Sequence, residues 1–134
     1  MSQMEVQDVG LRVELFVTDL PQSVAFYTQI LGFYAQGQAD DGYTAVTSGR
    51  VIIGLNKLAN LPDDHPVQAQ GGERLGRGVE LVLEVSDIEV TYEQVKATKW
   101  PIASLLQQRP WGLTDFRVID PDGYYWRITS RIVY

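Results

Sequence analysis

Apolar and polar positions alternate from residue 11 to residue 17. Leu11, Val13, Leu15 and Val17 are apolar, and Arg12, Glu14 and Phe16 stand between them. A two-residue period places one set on a core and the other on the opposite face, which predicts a strand. Asp19 then occupies a helix N-cap position, with Gln22 three residues on as in a capping box. Leu20, Val24, Tyr27 and Leu31 form an apolar stripe at helical spacing, and Gly32 fits the stop.

The same order returns further along. Gly10 to Leu20 and Gly78 to Ile88 align at a constant offset of 68, with Gly10/Gly78, Leu15/Leu83, Val17/Val85 and Asp19/Asp87 identical. In the second copy Val79, Leu81, Leu83 and Val85 alternate with Glu80, Val82 and Glu84. Ser86 and Glu89 are the expected caps, Ile88, Tyr92 and Val95 the stripe, and Lys99-Trp-Pro101 the end of the helix. Three β-like runs follow each helix: 33–38, 43–47 and 51–56, then 102–106, 113–119 and 124–130. Asp41-Gly42, Ser48-Gly49 and Asp120-Pro-Asp-Gly123 supply turns. The chain therefore reads as α+β, in two tandem β-α-β-β-β modules. Module one spans about 10–57, a Pro-, Gly- and Asp-rich connector 58–77, and module two about 78–131. We take all 134 residues as one domain, because a half of about 60 residues buries too little surface to be stable alone.

Composition narrows the chemistry. There is no Cys and one His, His65, so disulfides, thiolate metal sites and a cysteine nucleophile are impossible. A two-His-one-carboxylate iron site cannot be built from one chain. His65 lies in the polar stretch Leu61-Pro-Asp-Asp-His-Pro66, where a solvated ring is the expected reading. The net charge of −6 argues against nucleic acid and anionic membrane surfaces as partners and favours neutral or cationic small molecules. No stretch approaches the length of a membrane span, and the polar start is unlike a targeting peptide, so a cytoplasmic location is expected.

Val17-Thr-Asp-Leu-Pro-Gln-Ser-Val-Ala-Phe-Tyr27 with Leu31-Gly-Phe33, and Pro110-Trp-Gly112 followed by Phe116-Arg-Val-Ile-Asp-Pro-Asp-Gly123, carry a resemblance. They resemble the vicinal oxygen chelate superfamily: glyoxalase I, extradiol dioxygenases and the bleomycin-resistance proteins. The end of the chain is most similar to the bleomycin-resistance branch. The resemblance implies that the two modules form a cup-shaped mixed sheet around a ligand, with helices outside, and that the chain forms a homodimer whose pocket lies within one chain or across two. It also implies that the metal positions of the superfamily's enzymes correspond here to Arg12, Gly54, Glu80 and Arg127. Only Glu80 among these binds a divalent metal, since a guanidinium has no lone pair to give. We therefore expect no metal and no cofactor, with Arg12, Glu80 and Arg127 converging as an ion-paired cluster. A register slip of two residues offers Glu14 or Glu84 instead.

The expected ligand-binding set is Arg12, Glu14, Phe16, Glu80, Glu84, Trp111, Tyr125 and Arg127. Phe16 and Tyr125 line the face, and Trp111 suits a planar or cationic guest by stacking, whereas the arginines suit a carboxylate or phosphate. Three functions stay open. One is a metal-free protein that sequesters an aromatic or drug-like ligand. A second is a metal-dependent lyase, isomerase or dioxygenase. The third is a metal-independent enzyme with Glu80, Glu84 or Glu14 as its acid-base group.

Overall fold

The computed structural model describes residues 6–36, 42–70 and 72–132. In the first half β1 (Val13–Val17) leads into α1 (Leu20–Ala25), which continues as a π-helical turn, Phe26–Ile30. Then come β2 (Tyr34–Gln36), β3 (Tyr43–Ser48) and β4 (Val51–Lys57). In the second half β5 (Glu80–Val85) is followed by α2 (Ile88–Ala97), β6 (Ser104–Gln108), β7 (Thr114–Ile119) and β8 (Tyr125–Ser130). Each half is thus β-α-β-β-β and makes one four-stranded mixed sheet, ordered β1-β4-β3-β2 and β5-β8-β7-β6. The first strand of each module pairs in parallel with the last, and the remaining pairs are antiparallel. The fold is α+β, in two tandem modules. Residues 37, 38 and 41, which belong to an expected strand and turn, lie outside the described residues.

Alternation decides which side of each sheet is core. Leu15, Val17, Val46, Ile53 and Leu55 of the first sheet are buried, as are Leu83, Phe116, Val118, Trp126 and Ile128 of the second. They join Leu20, Phe26 and Tyr27 from the first helical segment and Ile88, Tyr92 and Val95 from α2 in one core that draws on both modules. Trp126 is only 2% exposed and packs edge-on against Tyr27 and Phe33. Leu11, Arg12 and Val79 fall outside the ladders and are exposed.

Two local expectations are corrected. The cap of α2 is Asp87, whose side chain accepts from the Val90 amide at 3.1 Å, and not Ser86 or Glu89. It matches Asp19, which accepts from the Gln22 amide at 3.0 Å, so the offset of 68 holds for the caps themselves. The first helix also departs from its expected stripe. Its widening into a π turn buries Leu20, Ser23, Phe26 and Tyr27, while Val24 and Leu31 are only half-buried.

The modules are tied by hydrogen bonds as well as by core. The Trp126 indole N–H donates to the Tyr27 hydroxyl at 3.0 Å, and that hydroxyl donates to Asp120 at 2.7 Å. The other Asp120 oxygen accepts from the amides of Asp122, Gly123 and Tyr124, each at 2.9 Å. Asp122 accepts from the Thr18 hydroxyl at 2.6 Å, and the Tyr124 hydroxyl donates to the Phe16 carbonyl at 2.8 Å. Burial and the nearby Asp120 charge raise the Tyr27 phenol, and burial pushes Tyr124 up to about 12. Burial likewise raises the Asp120 carboxyl, against the pull of its hydrogen bonds. Asp120-Pro-Asp-Gly123, at first sight a generic turn, is the joint between the halves.

Candidate functional site

The faces turned away from the core carry the candidate chemistry. On the first sheet Glu14, Gly54, Ala45 and Gln36 share one cross-strand row, and Phe16, Asn56 and Tyr43 another. On the second sheet the rows are Glu80, Tyr125 and Ile119; Val82, Arg127, Arg117 and Ser104; and Glu84, Thr129, Asp115 and Gln107.

Module two gathers most of the charge. Arg127 and Arg117 face each other across the β7–β8 ladder. Like charges set opposite one another are unfavourable unless compensated. Arg127 Nη2 lies 2.9 Å from a Glu80 carboxylate oxygen. Arg117 lies 3.4 Å from Asp115 and donates to the Tyr125 hydroxyl at 3.5 Å. That bond, and then Asp115, raise the Arg117 guanidinium above its ordinary value against the opposing effect of burial. Asp115 is fully buried and also takes Arg109 at 2.9 Å, while Arg109 donates to Ser104 Oγ at 2.9 Å. Asp115, Arg109 and Arg117 were not among the expected site residues. The alternation of residues 113–119 already puts Asp115 and Arg117 on one face, so that signal was in the sequence.

Trp111 stands at the tip of the β6–β7 hairpin. The Gly112 amide donates to the Arg109 carbonyl at 2.9 Å, Pro110 supplies the preset φ, and Gly112 takes φ 93°. This displays the indole, 55% exposed, with its ring centroid 5.9 Å from the Arg127 guanidinium carbon. Arg127 Nε is buried and has no hydrogen-bond partner among the described residues. Glu80, Arg127 and Trp111 therefore form one group, with Tyr125 beside Glu80 in register.

Module one contributes separately. Arg12 pairs with Glu14 at 3.5 Å along its own chain. The Glu14 carboxylate lies over Gly54, in the space a side chain at that position would fill. Tyr43 donates to the same carboxylate at 3.5 Å. Of the expected Arg12–Glu80–Arg127 cluster, the Glu80–Arg127 pair forms and Arg12 stands apart from it. Arg12 sits ahead of β1 with a largely exposed side chain, and the nearer Glu14 takes its charge. Phe16 is half-buried beside Tyr43 and Asn56, and exposed Glu84 forms no ion pair among the described residues. His65 is held locally, its Nδ1 accepting from the Val67 amide at 3.0 Å.

The four positions expected to correspond to metal ligands hold a guanidinium, a glycine with a neighbour's carboxylate over it, a carboxylate bound to arginine, and a second guanidinium. This set does not fit a divalent cation. Among the described residues no three His, Asp or Glu side chains come together as a ligand group. Also among them, no helix is long and apolar enough to cross a membrane.

Two β-α-β-β-β modules on one core, each with a charged face, define a class. The model of the Glyoxalase/Bleomycin resistance protein/Dioxygenase superfamily matches residues 11–128. The chain belongs to that superfamily. A glyoxalase/bleomycin resistance protein/dioxygenase from Nocardioides is 26% identical, with 95% of this chain and 87% of that one covered and a TM-score of 0.72. TioX from Micromonospora sp. ML1 is 23% identical, with 94% and 98% covered and a TM-score of 0.68. A lactoylglutathione lyase from Agrobacterium tumefaciens is 16% identical, with 94% and 96% covered and a TM-score of 0.70. The last two likenesses are of fold alone. No curated protein matches the chain in sequence.

Proposed function

We propose that the protein is a metal-free, small-molecule-binding member of its superfamily, of the bleomycin-resistance type, and that it holds an aromatic or drug-like guest against module two. One observation carries this reading. The Glu80 carboxylate is engaged by Arg127 at 2.9 Å, and the same guanidinium lies against the displayed Trp111 ring. Two cationic or aromatic planes side by side accept a flat guest by stacking and cation–π contact, and they offer no vacant Lewis acid. The reading includes a homodimer, in which a second copy covers Val82 and Leu105, both exposed in the single chain, and leaves the Trp111 ring to the guest.

The test is calorimetry of the purified chain against a panel of planar aromatic and heteroaromatic compounds, with metal content measured alongside. Saturable binding with the compound recovered unchanged, weakened at least about tenfold by Trp111→Ala, is the expected result. Metal-dependent turnover, or no binding across the panel, overturns the reading. Sedimentation velocity reads the dimer directly, and a monomer at all concentrations removes that part.

A further inference from the structure

A cavity of about 320 Å³ lies where the segment before β5 folds back over the β7–β8 turn. Arg74, Arg77 and Tyr125 line it with Gly76, Gly78 and Gly123, and among the described residues no Asp or Glu contributes. That absence is notable in a chain with 17 acidic residues against 11 Lys and Arg.

The walls are built. Arg74 is laid across Gly123, where a Cβ would meet its Cγ, Nε and Cδ. Its Nε–H donates to the Gly123 carbonyl at 3.2 Å. Gly123 has φ 107°, so backbone and close approach both require glycine there. Gly76, φ 77°, makes room in the same way for the Tyr124 ring, and Leu75 between them is buried. The segment is thus docked on module two, and Arg74 is oriented before any ligand arrives. With Nε on the carbonyl, its two terminal nitrogens have no partner among the described residues. Arg77 has no ion pair or hydrogen bond there either.

Arg74 and Arg77, three residues apart, both line the cavity, and no carboxylate stands between them in the chain. The planar donor fork of arginine matches carboxylate and phosphate oxygens. A cavity of this size falls at the small end of ligand pockets. We propose that this pocket is an oxyanion site, which takes the carboxylate or phosphate group of a small ligand between Arg74 and Arg77. Its two cations come from the connector and its floor from Gly123 and Tyr125 of module two, and the proposal does not depend on what the Trp111 face binds.

The experiment is a titration of the ¹⁵N-labelled full chain with inorganic phosphate and, separately, with benzoate, chloride holding the ionic strength constant. Saturable shifts at the amides of residues 74–79 and Gly123 are expected with at least one of the two probes, and the tighter probe identifies the group. Arg77→Gln should weaken that binding about tenfold, the loss of one charge-assisted hydrogen-bonding partner. Arg77 is exposed, so this variant keeps the test decisive even if Arg74→Gln loosens the loop. Shifts that never saturate with either probe, saturable binding centred on Arg127 and Trp111 instead, or wild-type affinity in Arg77→Gln would each overturn the proposal.

Discussion

The two modules share a backbone plan and differ on the face away from the core. Glu14 of β1 pairs with Gly54, and Val82, 68 residues on, pairs with Arg127, so Gly54 and Arg127 hold equivalent positions. In module one the absent side chain lets the Glu14 carboxylate lie over the strand, with exposed Arg12 as its partner at 3.5 Å. In module two the arginine reaches Glu80 at 2.9 Å, and a second arginine beside it needs the buried Asp115. Glycine against arginine at that position, with Ala45 and Tyr43 where module two has Arg117 and Asp115, separates a loose solvent-exposed pair from a linked charge network. The difference teaches where structure is demanding: a screened pair tolerates change, while buried charges must all be matched.

The comparison can be broken most sharply at Asp115. Replacing it with Ala strands Arg109 and Arg117 without their partner and should cost about 3–5 kcal/mol in urea unfolding. Tyr27→Phe comes next. It leaves the Trp126 indole N–H and one Asp120 oxygen unpartnered in the joint between modules, at a cost of about 1–3 kcal/mol. The Asp120 carboxyl itself should show in the pH dependence. Burial raises it in the folded state, so its contribution to stability is full below the ordinary value of 3.8 and is lost as pH rises through the folded value. The unfolding free energy of the native chain minus that of Asp120→Asn should accordingly fall across that window. A difference that grows with pH would mean that the hydrogen bonds outweigh burial. The smallest effect belongs to module one, where Arg12→Ala should change stability by about 0–1 kcal/mol, less so in high salt. Comparable losses for Arg12→Ala and Asp115→Ala would erase the contrast.

Much of the fold was legible because it is written in short-range pattern. Leu15, Val17, Leu83 and Tyr92 announced their buried sides by period alone, and the Asp19/Asp87 repeat marked both helix starts. Ser86 was the wrong cap because Ser and Asp are both good N-caps and stand side by side, and only the geometry chooses. The π turn at Phe26–Ile30 left no mark in residue type. The site was partly legible: strand alternation put Glu80 and Arg127 on the same face, and Pro110 with Gly112 signalled the turn that displays Trp111. What could not be read was long-range. Tyr27 meets Asp120 across 93 positions, and no local rule pairs a helix phenol with a turn carboxylate that far away. Arg74 lies over Gly123, 49 positions on, and no local pattern in the connector marks that contact.

The joint at Asp120 has a temporal consequence. Tyr27 and Trp126 lie 99 residues apart, and Tyr124 reaches back 108 residues to Phe16. Contacts of such sequence separation close last and slow folding, because the chain loses loop entropy before they form. During synthesis the first helix stays without its final partners until residue 126 has left the ribosome. Until then the first half leaves open to water apolar surface that the finished fold buries in the shared core.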